Sequence, residues 1–398
     1  MDENFSKAFY NTIVEKQTIF NDRTIHYFTK PGIPHWDAVT PSQFLLSTQI
    51  HNLSGKNVFL FGSGNGAWVA NLYHQSNPSI IRIFDPNITA LELTQINLFE
   101  NKVAKFNIED TLIISRSTND PIDTIIMDLP KGRELSRHWL SHAFSWLKPT
   151  GELFLAGSND SGIQSVCKDA LDVFGNQTIL SYKKGNRLIR FSKSNPPINQ
   201  PDWIIQNGIA PGTWKTFEFQ FKSQNFRFNT LPGVFSSDHL DEGTQFLISY
   251  LPENFLGRAL DFGCGCGVIG LLLANSSNCQ VNLIDINLNA IQSARKNASV
   301  LNIHNVTIEP MDGMRKLSPI KFDLIISNPP FHNGESIDFS ITTAFLHECY
   351  QNLSNNGRLM FVSNLFIPYQ RMLKGFFHQV NLLASNRKFA IWEAARRD

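Results

Sequence analysis

An asparagine, two prolines and a phenylalanine end an apolar, strand-like run in the stretch DLIISNPPFHNG, residues 323–334. Pro329 and Pro330 have a fixed φ and no N–H group, so the turn after the run is stiff. The first proline also pushes the residue before it, Asn328, towards extended geometry. The side-chain oxygen of Asn328, the carbonyl oxygen of Pro329 and the ring of Phe331 can then converge on one ligand. We expect these four residues to carry the chemistry.

Two hydrogen-bond acceptors beside an aromatic ring suit the exocyclic amine of a nucleobase. The lone pair of such an amine is delocalised into its ring, so the amine is a poor nucleophile. Acceptors that hold its two N–H groups orient it and favour pyramidalisation, while stacking on the phenylalanine contributes about 1–3 kcal/mol per base. The motif therefore predicts methyl transfer to an amine, with positioning supplying much of the acceleration. The structural alternative is a proline-terminated strand with a capping asparagine.

A glycine-rich turn follows a second apolar run in LDFGCGCG, residues 260–267. Gly263, Gly265 and Gly267 allow a tight turn and a close approach of the backbone to a ligand. The helix expected after them offers free N–H groups. Asp285 stands at the end of the next strand-like run, where a carboxylate can accept hydrogen bonds from both hydroxyls of a ribose. This pattern predicts a cofactor that contains a nucleoside.

The acid in front of the glycine turn helps to identify the cofactor. Gly265, Gly267 and Gly270 spell G-x-G-x-x-G, a weak signal that a nicotinamide dinucleotide would also fit. Asp261, however, would repel a pyrophosphate and attract a cation. S-adenosylmethionine carries an ammonium and a sulfonium group, so it fits better. Asp312, which follows the strand-like VTIE, is expected near the adenine edge.

The chain contains an internal repeat. Four apolar runs, each with a characteristic turn or terminal acid, recur in the same order and at similar spacing. The paired segments are 57–72 with 258–273, 80–87 with 281–288, 123–132 with 323–334, and 147–158 with 353–364. Strands that alternate with helices, and that are apolar nearly throughout, predict a mostly parallel sheet with helices on both faces.

The repeat predicts an α/β protein with two tandem Rossmann-like domains. The first domain is expected over residues 1–195 and the second over residues 228–398. Residues 196–227 are expected to form a linker region, because the prolines of SNPPINQPDW limit helix formation.

The first copy departs from the second at the positions that matter for chemistry. Leu60 stands where the second copy has Asp261, and DLPK, residues 128–131, replaces the asparagine–diproline–phenylalanine motif. A carboxylate and a lysine cannot hold an amine in the same way. The first domain is therefore expected to be inactive and to support the fold of the second.

Composition is that of an ordinary globular protein. Of 398 residues, 42% are hydrophobic and 17% charged, and the formal net charge is +1, so overall charge does not indicate a nucleic-acid partner. The five cysteines are scattered, which favours neither a disulfide framework nor a metal site. No secretory signal and no apolar run of membrane-spanning length are evident, so a cytoplasmic protein is expected.

One basic segment contrasts with the neutral whole. Residues 181–230 carry eight Lys or Arg and two acids, a net charge of +6. The first part of this segment is expected to contact the phosphates of a nucleic acid, and the alternative is a solvated rim. The candidate residues are Lys183, Lys184, Arg187, Arg190 and Lys193.

These motifs give the sequence a recognisable family character. It resembles the class I S-adenosylmethionine-dependent methyltransferases with an Asn-Pro-Pro-Phe/Tyr motif, and more closely the bacterial ribosomal RNA guanine-N2 methyltransferases. That family includes the small-subunit methyltransferase C type and its large-subunit relative, which have tandem methyltransferase-like domains. The sequence resemblance is weak before residue 195 and strong over about residues 228–394. It is carried by NTLPGVFSSDHLDEGTQFLI, LDFGCGCGVIGL, ISNPPFHNG and the tail from FIPY to NRKFAIWEA.

The resemblance implies a function and a set of site residues. The function would be methylation of the N2 amine of a guanine in ribosomal RNA, naked or in a subunit, without a membrane or an obligate protein partner. S-adenosylmethionine would be the cofactor, with Phe235, Asp241 and Thr244 lying over it. The amine would be held by Asn328, Pro329, Pro330 and Phe331, and the cofactor contacted by Asp261, Gly263, Gly265, Asp285, Asp312 and Asn328.

The ribosomal target and three other functions stay open at this point. LPGVFS and FIPY favour the small-subunit enzyme, whereas LPENFLG, GVIGL and NRKF favour the large-subunit one. Methylation of a protein glutamine or a DNA adenine would more often have tyrosine in place of the motif phenylalanine. A nicotinamide oxidoreductase would need a catalytic group that no motif supplies. A non-catalytic RNA-binding protein is disfavoured by the intact motifs of the second copy.

Overall fold

The computed structural model describes residues 10–112, 122–193, 200–329 and 339–396. The chain divides into two compact units. The first unit is Ile13–Lys215, and the second is Thr216–Asp398 together with Met1–Thr12. Within the described ranges, none of the helices combines the length and the apolar composition that a membrane span requires.

Strands and helices alternate along the first unit. In chain order they are β1 (Val14–Phe20), β2 (Arg23–Thr29), α1 (Pro41–Gln49), β3 (Asn57–Phe61), α2 (Ala67–Ser76), β4 (Ile80–Phe84), α3 (Ile88–Glu100), β5 (Phe106–Glu109), β6 (Ile122–Asp128), α4 (Arg133–Trp146), β7 (Leu147–Ser158), α5 (Ile163–Phe174), β8 (Thr178–Lys183) and β9 (Asn186–Ser192). β1 and β2 form an antiparallel hairpin, and the other strands form one sheet in the order β5-β4-β3-β6-β7-β9-β8. The first five strands in this order, β5, β4, β3, β6 and β7, are parallel to one another, and β9 is antiparallel to both of its neighbours.

The second unit repeats this plan. Its elements are β10 (Lys215–Phe221), β11 (Gln224–Thr230), α6 (Glu242–Ile248), β12 (Gly257–Phe262), α7 (Val268–Ser276), β13 (Cys279–Asp285), α8 (Leu288–Val300), β14 (Val306–Pro310), β15 (Phe322–Ser327), α9 (Phe339–Asn352), β16 (Leu353–Asn364), α10 (Tyr369–Lys374), β17 (Gln379–Ser385) and β18 (Phe389–Ala395). β10 pairs with β11, and the remaining strands form a sheet in the order β14-β13-β12-β15-β16-β18-β17. The predicted α/β class, with two tandem Rossmann-like domains built on mostly parallel sheets, is confirmed.

Much of the range expected as a linker, 196–227, has regular structure. A short 3-10 helix, Asp202–Ile205, lies in the first unit. Its Trp203 is buried, and the guanidinium of Arg137 on α4 lies 4.8 Å from the centroid of that indole ring. The first unit therefore extends beyond the expected boundary, because apolar residues after the prolines pack on α4. Later in the range, residues 215–221 form β10 and residues 224–227 form the first part of β11, whereas residues 196–199 lie outside the described chain.

The second sheet has a topological switch point at its centre. The chain adds β13 and β14 on one side of β12 and then β15 on the other, and all these pairings are parallel. Open α/β sheets bind ligands beside the carboxyl ends of their strands at such a point. The ends of β12 and β15 are joined there, because the Ser327 hydroxyl donates to the Phe262 carbonyl at 2.7 Å.

A carboxylate and a glycine interlock where α7 packs on β12. Asp261 is fully buried, and its Oδ2 accepts the N–H of Gly270 at 2.8 Å, a first-turn donor without a partner inside the helix. A Cβ on Gly270 would lie 2.9 Å from that oxygen and 2.8 Å from Cγ of Leu283, so glycine permits the close approach. The matching residues of the first unit, Leu60 and Val69, are both buried. An apolar pair thus replaces the polar one.

We expect the Gly270→Val substitution to destabilise the second unit by about 1–3 kcal/mol, because the added methyl groups overpack the contact. The double change Asp261→Leu with Gly270→Val introduces the pair found in the first unit. It should cost less than the sum of the two single changes, because the two residues are in contact. Urea unfolding of the wild type, both single variants and the double variant measures this coupling. If the losses in free energy of unfolding were strictly additive, the proposed contact between Asp261 and Gly270 would not couple the two positions.

Candidate active site

A cavity of about 620 Å³ in the second unit reaches the ends of β12, β13 and β15. Among the predicted site residues, its walls include Phe235, Asp241, Thr244, Gly263, Gly265, Asp285, Asp312, Asn328 and Pro329. Four carboxylates line it, those of Asp241, Asp285, Asp312 and Glu348, and the described lining residues include no Lys or Arg. The fold therefore brings residues from separate strands and loops into one negatively charged cavity.

Asp285 shapes the glycine turn as well as lining the cavity. Its Oδ2 accepts the N–H of Gly265 at 2.9 Å, and its Oδ1 accepts the N–H of Asn287 at 2.8 Å. Burial raises the pKa of this carboxyl, and the backbone hydrogen bonds oppose that rise. In the first unit, Oδ2 of Asp85 accepts the N–H of Ser63 at 2.9 Å and that of Gly64, the counterpart of Gly265, at 3.4 Å. The acid at this strand end thus has a structural role in both units.

Asp261 lies behind the glycine turn and is not part of the cavity wall. The sequence predicts a direct contact between Asp261 and a cation, but helix α7 occupies one of its oxygens. The other oxygen, Oδ1, has no hydrogen-bond partner. Burial, reinforced by the nearby charge of Asp285, raises the pKa of Asp261 to about 7. Gly267, which precedes α7, also lies outside the wall.

The amide of Asn328 is held in one orientation. Its Nδ2 donates to Oδ2 of Asp241 and to Oγ1 of Thr244, both at 2.9 Å. An ionised carboxylate only accepts hydrogen bonds, so the amide nitrogen faces Asp241 and the amide oxygen points away from it. Asp241 is itself fixed as the N-cap of α6, where it accepts the N–H of Thr244 at 2.8 Å. The result is an oriented acceptor in the cavity wall, beside the buried Pro329.

The first unit has a similar network with donor and acceptor exchanged. Asp128 ends β6, and its carboxylate accepts from Nε2 of Gln43 at 2.9 Å and from Oγ of Ser42 at 3.1 Å. The amide therefore belongs to helix α1 and the carboxylate to the strand. Burial raises the pKa of Asp128 to about 7. The hydrogen bond between strand and helix is kept, but the strand end presents no amide oxygen.

Side chains lie over the glycine turn of the first unit. Nε2 of Gln43 is 2.8 Å from the position that a Cβ on Gly64 would take. Trp139, which is buried, stacks on Phe61 with ring centroids 5.1 Å apart. Its counterpart in the second unit is the smaller Phe345, which lines the cavity. The first unit thus places a tryptophan and a glutamine amide where the second unit has its cavity.

The remaining predicted residues lie at the margins of the cavity or outside the described chain. Phe235 is 69% exposed. Asp312 accepts a hydrogen bond from the hydroxyl of Tyr10 at 3.0 Å. Tyr10 also lines the cavity. It was not identifiable from the sequence, because no local pattern connects two residues that are 302 positions apart. Pro330 and Phe331 lie outside the described residues.

The five predicted phosphate-binding residues have different surroundings. Lys183 and Lys184, at the turn between β8 and β9, are exposed. Arg187 lies over a tyrosine ring of β8, 4.9 Å from its centroid, and Arg190 is 3.4 Å from a glutamate of β7. Nζ of Lys193 donates to two carbonyls at the end of α4, each at 2.6 Å, and burial lowers its pKa. Lys183 and Lys184 therefore remain the most accessible of the five.

Comparisons with known proteins agree with this architecture. Residues 24–190 and 225–393 each match the methyltransferase small domain family. The ribosomal RNA small subunit methyltransferase C of Hahella chejuensis is 35% identical over 276 residues, which cover 69% of this chain and 78% of that protein. The Shewanella sediminis protein of the same name is 33% identical, with coverages of 69% and 77%.

A solved structure has the same fold over nearly the whole chain. It is the T. thermophilus 16S rRNA N2 G1207 methyltransferase, in complex with AdoMet and guanosine. The TM-score is 0.80 at 21% sequence identity, and the match covers 98% of this chain and 100% of that one.

Asp261 should titrate near neutral pH. Its pKa is raised on folding, so the folded state keeps a proton that the unfolded state releases between about pH 4 and about pH 7. The group therefore lowers the stability of the fold progressively as the pH rises through this window. The Asp261→Asn variant lacks this titration, so its free energy of unfolding should shift upwards relative to wild type between these pH values.

Urea unfolding at a series of pH values measures that difference. Asp160→Asn, at an exposed position of the first unit, is the control and should follow the wild type. If the difference between Asp261→Asn and wild type did not change with pH, the raised pKa would be wrong.

Proposed function

Because the chain belongs to the ribosomal RNA small subunit methyltransferase C family, we propose that its second unit methylates the exocyclic N2 amine of a guanosine in 16S ribosomal RNA. S-adenosylmethionine is the methyl donor in this proposal. The observation that carries it is the fixed amide of Asn328 in the wall of a negatively charged cavity. The target guanosine is the counterpart of the one named for the T. thermophilus enzyme.

The charge of the cavity favours S-adenosylmethionine over a dinucleotide. Its four carboxylates attract an ammonium and a sulfonium group and repel a pyrophosphate. Asp261 adds to this preference from behind the glycine turn. Its Oδ1 is buried without a hydrogen-bond partner, and a cationic ligand in the cavity would stabilise the ionised form of this carboxyl. When bound, the cofactor supplies an electrophilic methyl group. The negative charge of the cavity therefore also disfavours a nicotinamide oxidoreductase.

Asn328 and Pro329 hold the acceptor amine. Oδ1 of Asn328 and the carbonyl oxygen of Pro329 accept the two N–H groups of the guanine, which directs the nitrogen lone pair at the methyl group. The amine nitrogen forms the new N–C bond while the S–C bond breaks. The product nitrogen loses its proton after transfer, so no strong base is needed beforehand. Positioning supplies much of the rate acceleration.

In this proposal the first unit has a supporting, non-catalytic role. The first unit is catalytically inactive, since Asp128 offers no amide oxygen and Trp139 and Gln43 lie over its turn. It supports the second unit and helps to hold RNA. The reaction occurs in the cytoplasm, where the ribosomal substrate is assembled.

A direct test is the transfer of tritiated methyl groups to ribosomal RNA. Undermethylated 16S and 23S RNA, offered naked and as assembled subunits, distinguish the ribosomal targets. Mapping modified guanosines in ribosomal RNA from a strain that lacks this protein identifies the nucleotide. Transfer to a glutamine-containing peptide or to DNA adenine, with none to ribosomal RNA, would overturn the assignment.

Asn328→Ala should lower kcat for methyl transfer by about 100-fold or more, because it removes an oriented acceptor for the amine. The affinity for S-adenosylmethionine should change far less, since the glycine turn and Asp285 are untouched. Single-turnover methylation and calorimetry measure the two quantities. Asn225→Ala, at an exposed position of β11, is the matched control. Transfer at the normal rate by Asn328→Ala would exclude the mechanism.

The double variant Lys183→Ala, Lys184→Ala should bind ribosomal RNA more weakly and with a smaller salt dependence. Each lost phosphate contact lowers the salt slope by about 0.7–0.9. Lys102→Ala with Lys105→Ala is the matched control, since these exposed lysines lie beside β5, at the opposite edge of the sheet from β8. Filter binding at several salt concentrations measures both. An unchanged slope in the first variant would remove this surface from RNA binding.

A further inference from the structure

Two residues near the start of the chain form part of the second unit. Tyr10 and Asn11 belong to it, although the chain then continues into the first unit. The Tyr10 hydroxyl donates to Oδ1 of Asp312 at 3.0 Å. Nδ2 of Asn11 donates to Oε1 of Glu348 at 3.0 Å, and its Oδ1 accepts from Arg315 at 2.7 Å. The partners are 302 to 337 positions away in sequence.

These hydrogen bonds converge on one loop of the cavity. Residues 311–313 line it, and the loop continues to Arg315. Glu348, which is 5% exposed, accepts the N–H of Met314 at 2.8 Å. A Cβ on Gly313, which has a φ of 76°, would lie 2.6 Å from Oε2 of Glu348. The loop is therefore packed closely on Glu348, and the same carboxylate binds Asn11.

Tyr10 also forms part of the cavity wall. Its phenol has an apolar ring that can cover a flat heterocycle and a hydroxyl that anchors the ring at one edge. The hydroxyl donates to Asp312, and a carboxylate with about four lone-pair sites keeps acceptor capacity for a further donor. Such an acceptor, held at a fixed angle beside an aromatic ring, suits an aromatic amine.

We propose that Tyr10 completes the nucleoside end of the cofactor cavity. It covers the adenine and orients Asp312 to accept the adenine amine, while Asn11 holds the segment on Glu348 and Arg315. This inference rests on the proposed function, because it takes S-adenosylmethionine as the ligand. Tyr10 is a cofactor-binding residue that the sequence motifs of the second unit do not contain.

Calorimetry with S-adenosylmethionine and with adenosine tests this role. Tyr10→Phe keeps the ring and loses the hydrogen bond to Asp312, so both dissociation constants should rise by about 2- to 12-fold. Tyr10→Ala loses the ring as well and should weaken both ligands further. Free methionine, which lacks the nucleoside, should bind no differently to the variants. Tyr182→Phe, at an exposed tyrosine of the first unit, is the matched control.

The outcomes separate the inference from the function on which it rests. If the wild type binds neither S-adenosylmethionine nor adenosine, the assignment of the cofactor fails and the inference fails with it. If the wild type binds both and the Tyr10 variants bind them equally well, the inference alone is wrong. Thermal unfolding of each variant excludes a general loss of fold, because Tyr10→Phe should melt close to the wild type.

Discussion

A carboxylate only accepts hydrogen bonds, and the site in the second unit depends on this restriction. Asp241 fixes which end of the Asn328 amide faces the cavity. Asp285 holds the backbone of the glycine turn, and Asp261 holds the first turn of α7. Donors and acceptors that are buried without partners are costly, so each pairing specifies one local geometry. Asp241 and Asp285 also line the cavity and contribute to its negative charge, which suits a cationic cofactor.

The two units show which parts of this arrangement serve folding and which serve chemistry. Asp85 keeps the hydrogen bonds that shape the turn, because the turn needs them with or without a ligand. Leu60 replaces the buried acid of β12 and removes the electrostatic cost of that position. Asp128 and Gln43 keep the hydrogen bond between strand and helix but exchange its donor and acceptor. A duplicated fold can therefore remain well packed after the oriented amide oxygen is lost.

Much of the fold was predictable because strand and turn signals are local. Apolar runs followed by glycine or proline turns recur in both halves, and parallel topology then brings the ends of β12, β13 and β15 together. The extent of the first unit was not predictable from the prolines around residue 200, because burial of Trp203 on α4 decides it. Asp241 and Thr244 line the cavity, and their place over a cofactor stays a prediction. Their hydrogen bonds to Asn328 were not predictable, because they join residues more than 80 positions apart.

The sequence by itself determined the class of fold, the duplication and the candidate reactive motif at Asn328, since each is written in short runs of neighbouring residues. Only the tertiary structure decided three features: the direction in which the Asn328 amide points, the position of Asp261 behind the glycine turn, and the hydrogen bond between Tyr10 and Asp312. The physical reason is that hydrogen-bond partners and burial depend on which elements pack together. No local pattern records a contact between residues more than 300 positions apart.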